Sequence, residues 1–180
     1  MLFADVRGYT SMAEARCPGD VARLMNRFYS VATSVLAAHQ AVIDKLIGDQ
    51  VMALFIRGFA GDQFVGKMTA AAEELLHGVG YGGAAEPWLR LGVGLDYGRA
   101  FVGNVGAGEV KDFTALGDVV NTAARLQAEA KQGQIIMSER VFQAAGAPYA
   151  DAPVTMLTLK GKSEPVQARI LDRSLQTVAG

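Results

Sequence analysis

Two apolar runs, 41–47 and 50–56, meet across the dipeptide Gly48-Asp49. A gap this short between strand-like runs admits only a tight hairpin turn, so the two strands must pair antiparallel. The runs 88–97 and 99–105 predict a second hairpin around Gly98, and 156–159 with 166–171 a third around Gly161-Lys162-Ser163-Glu164-Pro165. Parallel neighbours would need long crossovers instead, so a doubly wound parallel sheet is excluded. Residues 2–6 and 134–137 read as further strands. A short helix is expected over 10–16, with Thr10 as its N-cap, and a break follows at Cys17-Pro18-Gly19. From Asp20 to about Gln40 the residues Val21, Leu24, Met25, Phe28, Val31, Val35 and Leu36 recur at three-four spacing, which predicts a long helix with one buried face. Further helices are expected over 62–77, 117–131 and 138–145, a loop over 58–61 and an exposed arm over 107–113. The expected class is α+β: a mixed, mainly antiparallel sheet with helices packed mainly on one face.

The 180 residues suit a single domain with a real core. A net charge of −1 offers no basic footprint for nucleic acid or anionic lipid. Apolar residues make up 51% and charged ones only 19%, a balance that points toward a buried subunit interface or a large core. The lone Cys17 rules out an internal disulfide and suits a reducing compartment, so a cytoplasmic location is expected. No apolar run reaches the ~18 residues of a bilayer span, and no membrane contact by this domain is expected. Met1 stands at the very edge of the first strand, as in a domain cut from a longer chain.

Asp5 ends the first strand and Asp49 sits in the Gly48-Asp49 turn. Carboxylates at such places are rigid, and two brought together by the fold can share hard cations, which in turn bind phosphate oxygens. Either one alone reads as a turn residue. Gly8-Tyr9-Thr10 opens a helix, whose free N–H groups can cradle a phosphate or simply be capped. Asn121 and Arg125 stand one helical turn apart on one face. Lys45, Lys160 and Lys162 taken singly read as solvated strand-end or hairpin charges. His39 and His77 lie near helix C-termini, where a dipole contact explains them. Arg7, Asp44 and Asp118 read as structural or solvent residues. The standard phosphate loop is absent, because Met156 stands where that motif needs its first glycine before Gly161-Lys162-Ser163.

In order and spacing, Phe3-Ala4-Asp5-Val6-Arg7-Gly8-Tyr9-Thr10, Lys45-Leu46-Ile47-Gly48-Asp49, Gly94-Leu95-Asp96-Tyr97-Gly98, Val120-Asn121-Thr122-Ala123-Ala124-Arg125-Leu126 and Leu159-Lys160-Gly161-Lys162 resemble the catalytic domain of class III adenylyl and guanylyl cyclases. The similarity runs from Leu2 to about Leu171. It implies a ferredoxin-like, polymerase-palm-like sheet and a head-to-tail homodimer with shared active sites. It also implies that Asp5, Asp49 and the Val6 carbonyl hold two Mg²⁺ or Mn²⁺. The backbone of Gly8, Tyr9 and Thr10 and the Lys160 side chain would take the β- and γ-phosphates. From the partner subunit, Lys45 would read the base, Asn121 orient the ribose and Arg125 neutralise the α-phosphate.

One position departs from the family pattern. Many adenylyl cyclases carry an Asp beside the base-reading Lys, and Thr114 stands there in this chain. Its hydroxyl can still accept from the adenine amino group. Lys45 can donate to adenine N1, whereas guanine carries a hydrogen there, and the family's guanylyl cyclases have Glu in place of Lys45. ATP is therefore the expected substrate and cyclic AMP with pyrophosphate the expected products. GTP use, or a non-catalytic nucleotide-binding domain of the same ancestry, are the alternatives.

Overall fold

The computed structural model describes residues 1–107 and 110–174. Nine strands and six α-helices follow in the order β1 (Leu2–Val6), α1 (Tyr9–Glu14), α2 (Pro18–Ala38), β2 (Val42–Ile47), β3 (Gln50–Leu54), α3 (Arg57–Ala60), α4 (Phe64–Gly78), β4 (Leu91–Leu95), β5 (Phe101–Ala107), β6 (Val110–Leu116), α5 (Asp118–Glu129), β7 (Gln134–Ser138), α6 (Glu139–Ala145), β8 (Val154–Leu157) and β9 (Val166–Asp172). Seven strands form one sheet in the order β2-β3-β1-β4-β7-β9-β8. Among the described residues, β4 and β7 are the one parallel pair of this sheet, and its other neighbouring pairs are antiparallel. The α+β class read from the sequence is borne out.

Alternation along β1 sorts the two faces of the sheet. Leu2, Ala4 and Val6 enter the main core with Phe28, Leu36, Met68, Leu75, Val93 and Ile135, beneath α2, α4 and α6. Phe3 enters a second cluster with Met52, Leu54, Ala115 and Ala123, on the face that α5 covers. Asp5 follows Phe3 by two residues and so shares the α5 face. The helix can lie this close because β4 offers glycine there. A Cβ on Gly94 would stand 2.5 Å from the Ala123 carbonyl oxygen, and one on Gly92 would stand 2.9 Å from that of Ala130. No side chain fits in that gap.

Several boundaries and one pairing differ from the sequence reading. Strands 88–97 and 99–105 do not form a hairpin. β4 lies between β1 and β7 in the large sheet, while β5 pairs with β6 in a separate two-stranded ribbon. A turn signal at Gly98 cannot distinguish a hairpin from a chain leaving the sheet. The expected arm over 107–113 is therefore part of this ribbon, apart from 108–109, which lie outside the described residues. The loop expected over 58–61 is the short α3. The long helix starts at Pro18 rather than after Asp20, because proline is well suited to a helix's first position. Thr10 is not a cap: α1 opens on Gly8 in the left-handed region at φ 74°, and Thr10 lies in the first turn.

Candidate active site

Strand pairing brings the main chains of the two aspartates together. Asp5 on β1 is in register with Gln50, the residue after Asp49, and the Val6 N–H donates to the Asp49 carbonyl at 3.1 Å. Gly48 turns the chain at φ 60°, and the Tyr29 hydroxyl from α2 donates to its carbonyl, tying the turn to the core. Burial pushes the Asp5 carboxyl above its ordinary range; the Arg7 guanidinium, 2.9 Å away, pulls it back and the negative Asp49 pushes it up again. Two carboxylates beside backbone carbonyl oxygens make a donor set of hard oxygens that suits a divalent cation. Among the described residues no three His, Cys, Asp or Glu side chains cluster as a metal cage. Any ion held here therefore needs ligands beyond these two side chains. Arg7, read from the sequence as structural, is the nearest cation to this pair.

α5 carries the second group. Val119, Thr122, Ala123, Leu126 and Gln127 are its buried residues, which leaves Asn121 exposed and Arg125 half-buried on the outer side. Gln50, at the start of β3, donates to the buried Gln127 at 3.3 Å and so links the carboxylate turn to this helix. The turn at Lys160-Gly161-Lys162 sits against the same helix. A Cβ on Gly161 would lie 3.1 Å from Arg125 Nη2, and Lys162 donates to both carboxylate oxygens of Asp118 at 2.6 and 2.7 Å. In the sequence reading, Lys160 takes the phosphates together with the Gly8–Thr10 backbone, and Arg125 comes from the partner subunit. The turn that carries Lys160 meets Arg125 of the same chain at Gly161, because the strand following the turn, β9, pairs with β7, on which α5 packs.

The third group joins β2 to the ribbon. Lys45 donates to Asp112 of β6 and lies 3.9 Å from Asp44 Oδ2. Thr114, two residues along β6 on the same face as Asp112, is buried and donates to Asp44 Oδ2 at 3.0 Å. Regular alternation would put Asp44 and Lys45 on opposite faces. A β-bulge between Ile43 and Lys45 breaks the alternation and brings both to one side. That is why Asp44 reads as a structural residue in the sequence. A charged pair inside an apolar strand was the available signal, and period-two reading discards it. Asp112 likewise carries no signal in the sequence, and Asp118, which reads there as a structural or solvent residue, accepts from Lys162.

Around these groups lie large apolar side chains in solvent. Ile47 is 58% exposed, Phe101 56%, Leu116 51% and Phe113 48%, all at the end of β2 or on the β5–β6 ribbon. No helix among the described residues is long and apolar enough to cross a membrane.

The model of the adenylate and guanylate cyclase catalytic domain matches residues 1–170. The chain is 30% identical over 173 residues to the terminal-differentiation specific adenylate cyclase of Dictyostelium discoideum, a match covering 92% of this chain and 8% of that protein. It is 30% identical over 175 residues to an adenylate cyclase of Anabaena cylindrica, covering 92% of this chain and 35% of that one. Among solved structures, the guanylyl cyclase Cya2 superposes with a TM-score of 0.82 at 25% identity, covering 98% of this chain and 93% of that one. The adenylyl cyclase CyaB of P. aeruginosa shares the fold with a TM-score of 0.79 at 24% identity, covering 95% and 92%.

Proposed function

Since the chain belongs to the class III adenylyl and guanylyl cyclase family, we propose that it converts ATP to 3′,5′-cyclic AMP and pyrophosphate at sites shared between the subunits of a head-to-tail homodimer. The observation that carries the choice of ATP is the cluster of Lys45 and Thr114 around Asp44. Lys45 supplies a donor for adenine N1 and Thr114 an acceptor for the adenine amino group. Guanine presents the opposite pattern at both places.

Asp5, Asp49 and the Val6 carbonyl are the residues to hold divalent Mg²⁺ or Mn²⁺, proposed at two per site. Bound cations would lower the pKa of the ribose 3′-hydroxyl and stabilise the leaving pyrophosphate. The chain's own residues do the rest. The backbone of Gly8, Tyr9 and Thr10 takes the terminal phosphates from one subunit. From the other come Lys45 and Thr114 on the base, Asn121 on the ribose, Arg125 at the α-phosphate and Lys160 on the phosphate tail. Attack of the 3′-oxygen at the α-phosphorus is intramolecular and in line, so holding the ribose and phosphates in register supplies much of the rate. Arg125 acts where negative charge grows in the transition state.

The exposed Ile47, Phe101, Phe113 and Leu116 support the dimer, since monomers rarely leave such a patch in water. The chain spans 8% to 35% of the length of the two curated relatives described, so activity and control in the intact protein belong to this proposal as well.

Product identification decides the matter. With Mn²⁺, ATP should yield cyclic AMP and pyrophosphate, and GTP much less cyclic product. A preference for GTP would replace the base assignment. Tight ATP binding by the dimer without any cyclic product would make this a nucleotide-binding domain.

A further inference from the structure

We propose that Asp44 is a positioning residue for base selection, which acts through Thr114 by fixing the direction of its hydroxyl. This rests on the ATP reading above and extends it to a residue that never touches the nucleotide.

A threonine hydroxyl is ambivalent, with one proton to give and two lone pairs to receive. Left free, it accepts from the amino group of adenine or donates to the carbonyl of guanine by a simple rotation. Such a residue cannot tell the two bases apart. In this chain the rotation is arrested. The Thr114 proton points to Asp44 Oδ2 at 3.0 Å, and a carboxylate can only accept. With its proton committed, Thr114 has only lone pairs left for the base. That surface welcomes an amino group and repels a carbonyl oxygen.

Three features make Asp44 suited to this and to little else. Its side chain is 0% exposed, so it lies behind Thr114 and out of reach of solvent and substrate. It occupies the bulge in β2, a local departure from strand geometry that turns it toward β6. Its second oxygen, Oδ1, is buried without a hydrogen-bond partner among the described residues. A half-satisfied buried carboxylate is costly, and an apolar residue of similar size would fill the space without that cost. The Lys45 ammonium, 3.9 Å away and hydrogen-bonded to Asp112 instead, offsets the charge of Asp44 without being held by it.

The test compares ATP with GTP as substrates of the full chain with Mn²⁺, and reads the same ratio from dissociation constants by calorimetry so that it does not depend on turnover. Asp44→Asn keeps the shape but can turn an amide N–H toward Thr114 and release its proton. The ATP-to-GTP ratio of kcat/KM should fall about tenfold, roughly the worth of one hydrogen bond, with the change in KM more than in kcat. Asp44→Ser should fall likewise. Thr114→Val should lose a similar factor and Thr114→Ser should keep the ratio. In the double variant Asp44→Asn with Thr114→Val, no further loss of discrimination should appear, because Asp44 acts only through the hydroxyl. A folded Asp44→Asn protein with an unchanged ratio would overturn the inference while leaving ATP use intact. Multiplying losses in the double variant would overturn it too. If neither Asp44 variant shows a cooperative melt, Asp44 is a stability residue and the inference fails. A wild-type chain that favours GTP would overturn this inference and the ATP reading together, an outcome visible before any substitution is made.

Discussion

The carboxylate end of the site and its cationic end are held in opposite ways. Asp5 and Asp49 are fixed by main-chain pairing: β1 on β3, and the Val6 N–H on the Asp49 carbonyl. Lys45 and Lys162 are fixed by side chains of the other sign, Asp112 and Asp118. Backbone pairing persists whatever binds, whereas an exposed ion pair is worth little and exchanges readily. The strand pairing that places the carboxylate end is thus present in the free chain, although Asp5 also pairs with Arg7, and under the proposed function Lys45 would leave Asp112 for the nucleotide. Affinity differences between conditions should therefore arise at Lys45, and loss of chemistry at the aspartates.

The contrast is easiest to break at its strong end. Asp5→Ala should abolish cyclic product formation with Mn²⁺ while leaving the melting transition in place, since the strand remains paired. Arg125→Ala should cost on the order of 10²–10³ in kcat, a loss typical of a group that meets transition-state charge. Residual turnover near wild type in either would show that the two ends do not work on one reaction.

Mixing those two dead variants sharpens it further. In a shared-site dimer, a mixed pair places both lesions in one site and leaves the other whole. Random exchange makes about half the dimers mixed, so about a quarter of wild-type activity should return. No recovery after proven subunit exchange would put both ends in one chain.

The smallest effect belongs to the exchangeable contacts. Asp112→Ala frees Lys45 from its internal partner, and KM for ATP should fall about two- to fivefold at constant kcat, the scale of a surface ion pair. A rise in KM would mean that Asp112 holds Lys45 in its reading position.

The difference between the two ends also explains what could be read from the sequence. Asp5 and Asp49 stood out because the strand ends and the Gly48-Asp49 turn that hold them are local signals. Asn121 and Arg125 were legible for the same reason, through helical spacing. Asp44 was not, because its meaning depends on a bulge that no propensity announces and on Thr114, seventy residues away. The place of Lys160 beside α5 is illegible for a related reason. Its turn meets α5 through the pairing of β9 with β7, a contact between segments distant in sequence. The β4 hairpin misreading is of the same kind: Gly98 ends a strand, but only the whole sheet decides that β4 joins β1 and β7 while β5 leaves to pair with β6.

The gap at Gly94 sets the height of α5 above the sheet at the thickness of bare main chain. A methyl group there would work as a shim, lifting the helix and carrying Asn121 and Arg125 with it while the carboxylates stayed put. Catalytic alignment in this domain is thus gauged by the smallest residue in it, and diversification has more freedom to alter which charges the helix bears than how far it stands from the strands.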